Sequence, residues 1–355
     1  MPTTIIDILL KAGITTPSAD NSQPWRFIIT TSTLSIIYDT KRVLNKTFKP
    51  DASATFLSMG ALLENLSQIC SAAKVTLQWN FPDTFNPDNP IYFETLIDQN
   101  IKNLDNNKLE KHPLFNRHTY RFSFQKKTIS SQLIDSINCK NTEYARVITI
   151  SNKRKITEIT NLVKLASQIR FKTQEIHEWL GKSLRFGQQS IQTCDGLDVA
   201  TLDIPPGGAL FLRFISDWRR MKIMNFFGVD KLMSWIDSAP IKKAPALVAI
   251  IGRHGFRESL SAGQLMQRIW IDLNDQGIAV HPYYVVSDQM NRLKDNTVPQ
   301  ELRQQAEQVN QQAIKLFDLQ KDEVLHMLFR IGYPDKKAKR SRRLPLEKLY
   351  SSSPD

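Results

Sequence analysis

The chain lacks the residue patterns that mark several common classes of protein. It has three cysteines in 355 residues, far apart and without a Cys-x-x-Cys pair: Cys70, Cys139 and Cys194. This argues against a disulfide scaffold and a structural zinc site. The histidines form no His-Glu-x-x-His motif and the glycines no Gly-x-Gly-x-x-Gly fingerprint. We therefore expect neither a bound metal nor a Rossmann-type nucleotide site.

Long hydrophobic runs are also absent. The longest apolar stretch, APALVAIIG at 244–252, is far too short to span a bilayer. The N-terminal MPTTIIDILLKAG has no basic region and is interrupted by Asp7, which is not typical of a signal peptide. These features predict a cytoplasmic protein without a membrane partner.

Positive charge, by contrast, is abundant and local. The net charge is +12, and six of the basic residues fall in the acid-free run KKAKRSRR, residues 336–343. Such a run is typical of a solvated tail, of a nucleic-acid or membrane patch, or of the phosphate-binding end of a domain. No recognised nucleic-acid-binding motif accompanies it, so we expect no nucleic-acid partner.

Hydrophobic periodicity predicts a mixed α+β chain. The patterns indicate helices over residues 5–13, 51–73, 91–104, 156–184, 259–276 and 299–316. They indicate strands over residues 26–40 (two short strands), 244–252, 278–286 and 324–334. Aromatic residues at helical spacing predict a buried stripe at Trp218, Phe226, Phe227 and Trp235, with a stripe that faces a cofactor as the alternative.

Two of the predicted helices share a pattern. Aligning Gly60 with Gly263 matches GALLENLSQICSAAKVTL with GQLMQRIWIDLNDQGIAV at the apolar positions. Two long helices entered through a small residue and followed by a strand favour two related halves. Chance similarity between amphipathic helices is the alternative.

The segment PSADNSQPWRF, residues 17–27, is more elaborate than a connecting loop requires. It resembles the Pro-Ser-x-x-Asn-x-Gln-Pro-Trp-x-Phe segment of the FMN-dependent nitroreductase family. In that family the loop runs across the flavin, and its Asn contacts the ribityl chain and the isoalloxazine edge. The resemblance implies that the loop contributes five FMN-binding residues: Pro17, Ser18, Ala19, Asn21 and Gln23.

Two further segments resemble the same family. NRHTYRFSF resembles its phosphate-binding Arg-x-Ser/Thr-x-Arg triplet through Arg117, Thr119 and Arg121. Residues spaced by two share one side of an extended segment, so these side chains can converge on a dianion; an exposed basic strand is the alternative. The end of the chain, RIGYPDKKAKRSRRLPLEKL, resembles the family's last core strand and basic exit. The match implies that some of Lys339, Arg340, Arg342 and Arg343 bind the phosphate, and among them we put forward Arg340 and Arg342.

The order of the motifs implies a tandem arrangement. In the family the triplet precedes the loop in one subunit, whereas here the first half has only the loop and the second only the triplet. This resembles the tandem, Acg-type branch, in which two nitroreductase-like halves form an intramolecular pseudo-dimer. The implied halves are residues 1–112 and 113–355, with a lid-like helical insertion at 155–245.

The resemblance implies an FMN-dependent oxidoreductase that passes electrons from NAD(P)H through FMN to a small acceptor such as a quinone or nitroaromatic. Because the flavin carries the electrons, no catalytic acid or base is expected. Ser261 and Gly263 are predicted to approach the flavin N5, with close helix packing as the alternative; for His281 a core or loop role is the default. A flavin-storing or regulatory protein without turnover is the competing interpretation. One chain suffices for one site, and a homodimer is a further option.

Overall fold

The computed structural model describes residues 4–43, 48–97, 101 and 105–351. The helices are α1 (Ile5–Ile14), α2 (Ser53–Ala73), α3 (Asn106–Glu110), α4 (Ser131–Asn138), α5 (Lys153–Lys172), α6 (Gln174–Ser183), α7 (Gln189–Thr193), α8 (Gly208–Ile215), α9 (Trp218–Phe226), α10 (Val229–Lys242), α11 (Phe256–Asp275), α12 (Val285–Lys294) and α13 (Arg303–Phe317). The strands are β1 (Trp25–Ile29), β2 (Thr33–Tyr38), β3 (Ile91–Leu96), β4 (Ala145–Ile150), β5 (Leu184–Arg185), β6 (Leu197–Asp198), β7 (Ala246–Arg253), β8 (Ala279–Tyr283), β9 (Glu323–Gly332) and β10 (Tyr350–Ser351).

The strands form two four-stranded sheets and one short pair. The first sheet has the order β10-β1-β2-β3 and the second the order β4-β7-β9-β8, while β5 pairs with β6. Within the sheets all neighbours are antiparallel except β1 and β10, which are parallel. The buried run of 244–252 forms β7, at the centre of the second sheet. The predicted α+β class is confirmed.

The helix predicted over residues 91–104 is wrong in its first part. Residues 91–96 form β3, which pairs with β2 through Phe93 opposite Ile36, while residues 98–100 and 102–104 lie outside the described residues. Tyr92 and Phe93 are both fully buried. Aromatic and β-branched residues in IYFETL fit a pleated surface better than a helix. The strand predicted over 278–286 also ends early, because Val285 and Val286 begin α12.

The two aligned helices, α2 and α11, pack directly on each other. A Cβ on Gly60 would lie 2.0 Å from the Leu260 carbonyl oxygen, and one on Gly263 would lie 2.3 Å from that of Leu57. The alignment of Gly60 with Gly263 also pairs Leu57 with Leu260, so these two contacts are equivalent. Only glycine allows the backbones to come this close.

The polar contacts between α2 and α11 also join residues that are equivalent in the alignment of the two helices. Gln267 donates to Asn65 across 2.7 Å, and Arg268 binds Glu64 through two contacts of 2.9 Å. The same alignment pairs Glu64 with Gln267 and Asn65 with Arg268. The two helices therefore meet with the reciprocal pattern of a two-fold interface.

The C-terminal segment packs against the N-terminal part of the chain. Leu344 and Leu349 are buried in the core cluster that contains α1, β1 and α2, and β10 extends the sheet at β1. Residues at the end of the predicted second half thus complete the core of the first.

The aromatic stripe predicted as core is mostly exposed. Phe226, Phe227 and Trp235 are 87%, 74% and 57% exposed, so the prediction is wrong for them, while Trp218 packs against a small cluster below α9. The helices α8 to α10 lie at the surface, so only one side of each finds a core. None of the helices among the described residues is long and apolar enough to cross a membrane.

Candidate functional site

A cavity of about 480 Å³ opens where distant parts of the chain meet. Its wall is formed by the loop 17–21, the start of α2, residues Thr119 and Arg121, and the C-terminal Ser341 and Arg343. Side chains from α5, α6, α8, α10, α11 and β8 complete it. A cavity of this size suits a small organic ligand or cofactor.

The loop 17–21 has an uncommon backbone. Asp20, Asn21 and Gln23 have φ of 47°, 57° and 49°, a left-handed conformation that non-glycine residues adopt only when their surroundings enforce it. The enforcing contacts are local and distant: the Ser18 hydroxyl accepts from the Gln23 amide at 2.9 Å, and the Gln23 side chain accepts from the Leu344 amide at 3.0 Å. The fully buried Gln23 thus supports the loop from behind.

Asn21 joins three segments. Its amide nitrogen donates to the carbonyl oxygens of Gly196, at 3.2 Å, and Arg342, at 3.0 Å. Its side-chain oxygen accepts from the guanidinium of Arg343. With both donors engaged by carbonyls, Asn21 orients Arg343 at the cavity wall.

One end of the cavity carries positive charge without a matching acid. Burial lowers the pKa of Arg343 to about 10. Arg117 is buried, donates to the Thr15 carbonyl at 2.7 Å, and has an Nε without a partner. Burial first, and then Arg343 and Arg340, push its pKa well below the ordinary value. Neither the buried Arg117 nor the half-buried Arg343 forms an ion pair within the described residues, and guanidiniums withdrawn from water without counter-charge favour an anionic ligand.

Arg117 approaches the cavity indirectly. Its guanidinium lies 4.6 Å from the centre of the Trp270 ring, and Trp270 lines the cavity. Arg121 lines it directly and donates to the Thr201 hydroxyl at 3.3 Å. Burial lowers the pKa of Arg121 to about 10, against the opposing influence of Asp20 and Tyr283. The charge of Arg121 is therefore partly balanced, unlike that of Arg343.

Asp20 links the loop 17–21 to α6. The Trp179 indole of α6 donates to the Asp20 carboxylate at 3.0 Å. Burial raises the pKa of Asp20, and Arg170, Trp179 and Arg121 oppose that shift. A charge-assisted contact thus fixes α6 to the loop.

His281 also lines the cavity, and its proton can be assigned. Arg330 donates from Nε to His281 Nδ1 at 3.0 Å; since arginine only donates, Nδ1 accepts and the proton is on Nε2. Burial, with Arg330 and Arg121, holds the pKa of His281 well below its usual value. The imidazole is a neutral hydrogen-bond donor.

Four predicted site residues lie away from the cavity wall. Ser261 hydrogen-bonds Thr142 at 2.8 Å, and Gly263 serves the helix crossing, as in the packing alternative. The Arg340 guanidinium donates to the carbonyls of Phe115 and Asn116, and Arg342 is exposed. The helix of the pair that reaches the cavity with its N-terminal turns is α2 rather than α11, through Ala54, Leu57 and Ser58.

The remaining predicted residues are brought together. Those lining the cavity are Pro17, Ser18, Ala19, Asn21, Thr119 and Arg121. Gln23 and Arg117 lie immediately behind them. Among the four basic candidates of the C-terminal run, the one in the cavity wall is Arg343 rather than Arg340 or Arg342. Asp20 and Arg170 also line the cavity and carry no motif signal.

No known protein-family model matches the chain. An uncharacterized protein of Mycobacterium tuberculosis (strain CDC 1551 / Oshkosh), MT1398, is 24% identical in an alignment 293 residues long that covers 78% of this chain and 38% of that protein. The chain thus spans well under half the length of this curated relative.

Several solved structures are similar over about two thirds of the chain. An FMN-dependent nitroreductase from Clostridium difficile R20291 is 12% identical with a TM-score of 0.36, covering 68% of this chain and 98% of its own. A nitroreductase with bound FMN from Bacteroides fragilis NCTC 9343 is 9% identical with a TM-score of 0.36, covering 66% of this chain and 92% of its own. NfrA2 of B. megaterium is 13% identical with a TM-score of 0.35, covering 66% and 71%.

Proposed function

We propose that the chain is an FMN-dependent oxidoreductase of nitroreductase type. The observation that carries the proposal is a pair of guanidiniums that no acid balances: the half-buried Arg343 at one end of the cavity and the buried Arg117 behind it. The two family motifs, far apart in sequence, flank this end: the loop 17–21 and the segment 117–121. A phosphate dianion would supply the missing counter-charge.

The residues present fit FMN as a whole. Arg343 and Arg121, with the hydroxyl of Thr119, would hold the phosphate, and the orphaned Nε of Arg117 reinforces the positive end. The loop 17–21 would lie along the ribityl chain, and apolar residues such as Leu57 and Met266 would face the ring. FMN supplies the capacity to accept and release electrons. The protein binds the phosphate, fixes the ring and excludes water.

The contact between α2 and α11 supports an intramolecular pseudo-dimer of two nitroreductase-like halves. The reciprocal pairs, Gly60 with Leu260 and Gly263 with Leu57, are what a two-fold axis between the helices requires. One half would contribute the loop and the other the arginine triplet. One chain then builds one complete site, with the insertion 155–245 as a lid over it.

We further propose NAD(P)H as the electron donor and a small oxidised compound, such as a quinone or nitroaromatic, as the acceptor. The Nε2 proton of His281 is available to a hydrogen-bond acceptor in the cavity. Three free cysteines suit a reducing compartment such as the cytoplasm.

Ligand chemistry tests the proposal directly. Titration of the purified chain with FMN, followed by flavin absorbance and fluorescence, should show saturable binding. Arg343→Ala should weaken FMN binding roughly tenfold to a hundredfold, the range for one charge-assisted contact. Riboflavin lacks the phosphate, so its binding should change little in the same variant. Arg342→Ala, at an exposed neighbour, is the matched control and should bind FMN normally.

Turnover needs a separate measurement. NADH or NADPH should bleach the bound flavin without oxygen, and a quinone should restore its absorbance. A colourless protein that binds no FMN would contradict the whole proposal. Flavin that binds but is not bleached would contradict the oxidoreductase function and favour storage.

A further inference from the structure

The insertion presents large apolar side chains to the outside of the molecule. Eight of the thirteen exposed large hydrophobic residues among the described residues fall in α8, α9, α10 and the turn at Phe227. We call them the outer apolar face: Leu210, Phe214, Ile223, Phe226, Phe227, Leu232, Trp235 and Ile236. A monomeric surface rarely concentrates apolar groups in this way without a partner.

These helices are apolar on two sides. Ile215, Met221 and Val229 face inward and form a buried cluster with Phe171. The outer residues repeat at the three- and four-residue spacing of one helix side, as in Leu210 with Phe214 on α8. A helix side that is apolar is normally covered by other apolar groups. The inward side of these helices is covered by the rest of the protein. The outward side has no such cover within the described residues and would be covered by a partner.

Charge around the outer apolar face has one sign. The exposed charged residues of 208–243 are all basic: Arg213, Arg219, Arg220, Lys222, Lys231, Lys242 and Lys243. The three acids of the segment are engaged: Asp217 caps α9 and lies 3.9 Å from Arg219, Asp230 is buried beside Lys172, and Asp237 binds Arg170 at 3.1 Å. Only Arg219 among the seven basic residues has an acid of this segment as partner, so the surface combines exposed aromatic rings with an excess of positive charge.

This combination disfavours a second copy of the chain as the partner. If a second copy packed on the outer apolar face about a two-fold axis, the same basic residues would face one another. Like charges brought together in an interface oppose association. The covering partner must be negatively charged at its surface and apolar beneath it.

We propose that the outer apolar face docks the protein on the surface of an anionic phospholipid bilayer. Amphipathic helices with Phe, Trp and Leu on one side and Lys and Arg around them bind in the interfacial plane of such membranes. Phe226 and Phe227 would enter the headgroup region, while Arg219, Arg220 and Lys222 would contact lipid phosphates. The attachment is peripheral, in accord with the lack of a membrane-crossing helix in the described part of the chain.

Flotation of the full chain with vesicles tests this proposal. We expect binding to vesicles of phosphatidylcholine with phosphatidylserine, weaker binding to phosphatidylcholine alone, and a loss of binding as salt increases. Joint substitution Phe226→Ser and Phe227→Ser should weaken binding at least tenfold, because both rings are exposed and available to lipid. Arg219→Ser with Arg220→Ser should weaken it roughly thirtyfold.

Matched controls keep the result interpretable. Leu96→Ser with Ile314→Ser removes exposed apolar groups elsewhere on the surface and should leave vesicle binding unchanged. Circular dichroism should show that all variants fold. Vesicle binding that survives the double phenylalanine substitution would assign attachment to the basic run 336–343 and overturn the proposal.

Two other results would assign the face to a different partner. Self-association that depends on Phe226 and Phe227, without vesicle binding, would identify a second copy as the partner. Binding to polyglutamate without vesicle binding would identify an acidic protein. Either outcome overturns the membrane proposal, and none of these measurements depends on bound flavin.

Discussion

His326 is a fully buried imidazole with one satisfied nitrogen. Its Nε2 donates to the Arg253 carbonyl at 3.0 Å, and its Nδ1 is buried without a partner. Burial lowers the pKa of His326 to about 4. Protonation in the folded state would therefore create a buried charged donor with nothing to receive it.

We predict that His326 makes the protein sensitive to mild acid. The unfolded chain takes up a proton below about pH 6.5, whereas the folded chain resists it until about pH 4, so the free energy of unfolding falls as pH falls through this window. The loss at pH 5 relative to pH 7.5 is about 2 kcal/mol for this residue. Urea denaturation at pH 5 and at pH 7.5 should show this difference in the free energy of unfolding.

His326→Gln should reduce the difference in unfolding free energy between pH 7.5 and pH 5. The comparison must be made between variants, because the raised pKa values of Asp20 and Asp288 shift stability in the opposite direction. An equal pH dependence in the wild type and His326→Gln would contradict the assignment.

The basic run 336–343 shows, for single residues, how far the anion site could be predicted from the sequence. KKAKRSRR indicated an anion site near the C-terminus, but residue type alone could not select among its arginines. The choice is made by tertiary contacts: Asn21 holds the Arg342 carbonyl and receives the Arg343 guanidinium. Arg343 therefore faces the cavity and Arg342 faces solvent. No local pattern encodes a contact with a residue more than 300 positions away.

Among the secondary-structure elements, α2 and α11 make the closest backbone contact described above, at Gly60 and Gly263. We predict that Gly60→Ala destabilises the protein by about 1–3 kcal/mol, because the new methyl would overlap a backbone carbonyl that cannot rotate away. Gly263→Ala should have a similar effect through the equivalent contact. The denaturation midpoint, measured at a constant slope, gives the change in unfolding free energy.

Gly208→Ala is the control for the crossing. A Cβ at Gly208 meets only side-chain carbons, the nearest at 3.3 Å, and alanine favours a helix over glycine by up to about 1 kcal/mol. Its stability should be unchanged or slightly higher. A Gly60→Ala variant as stable as the wild type would show that the helices do not cross this closely.

Helices and strands could be predicted where the periodicity of the apolar residues matches the side that is buried. The helix α2 and the strands β7 and β9 are long and apolar, and their patterns predicted them. The strand β3 was missed because IYFETL is short and its neighbours continue a helical spacing. The stripe at Phe226 and Trp235 was assigned to the core because exposed aromatic residues are uncommon. Periodicity shows that a side is apolar, but it does not show what covers that side.

The C-terminal segment packs into the core of the N-terminal part of the chain. Leu349 is fully buried in the core of the N-terminal part, and its carbonyl accepts from the Phe27 amide at 2.8 Å. We predict that Leu349→Ala lowers the free energy of unfolding by about 2–5 kcal/mol, the range for such a buried truncation. Leu346→Ala, at a half-buried neighbour, should cost clearly less. Equal effects in urea denaturation would contradict the burial of Leu349.

The cavity and the outer apolar face meet at Ile236, which lines the cavity and is also exposed. If the chain is a flavin oxidoreductase that docks on lipid, an acceptor dissolved in the bilayer would reach the cavity through this side of the insertion. We therefore expect phosphatidylserine vesicles carrying a lipid-soluble quinone to support faster NAD(P)H oxidation than phosphatidylcholine vesicles carrying the same quinone.

The phenylalanine pair separates docking from chemistry in this assay. Phe226→Ser with Phe227→Ser should lower kcat/KM for the vesicle-borne quinone at least tenfold, because the protein no longer concentrates at the bilayer. It should leave kcat/KM for a water-soluble quinone unchanged, because neither ring lines the cavity. An equal decrease with both quinones would mean that these residues act on the cavity itself, and the route through the bilayer would be wrong.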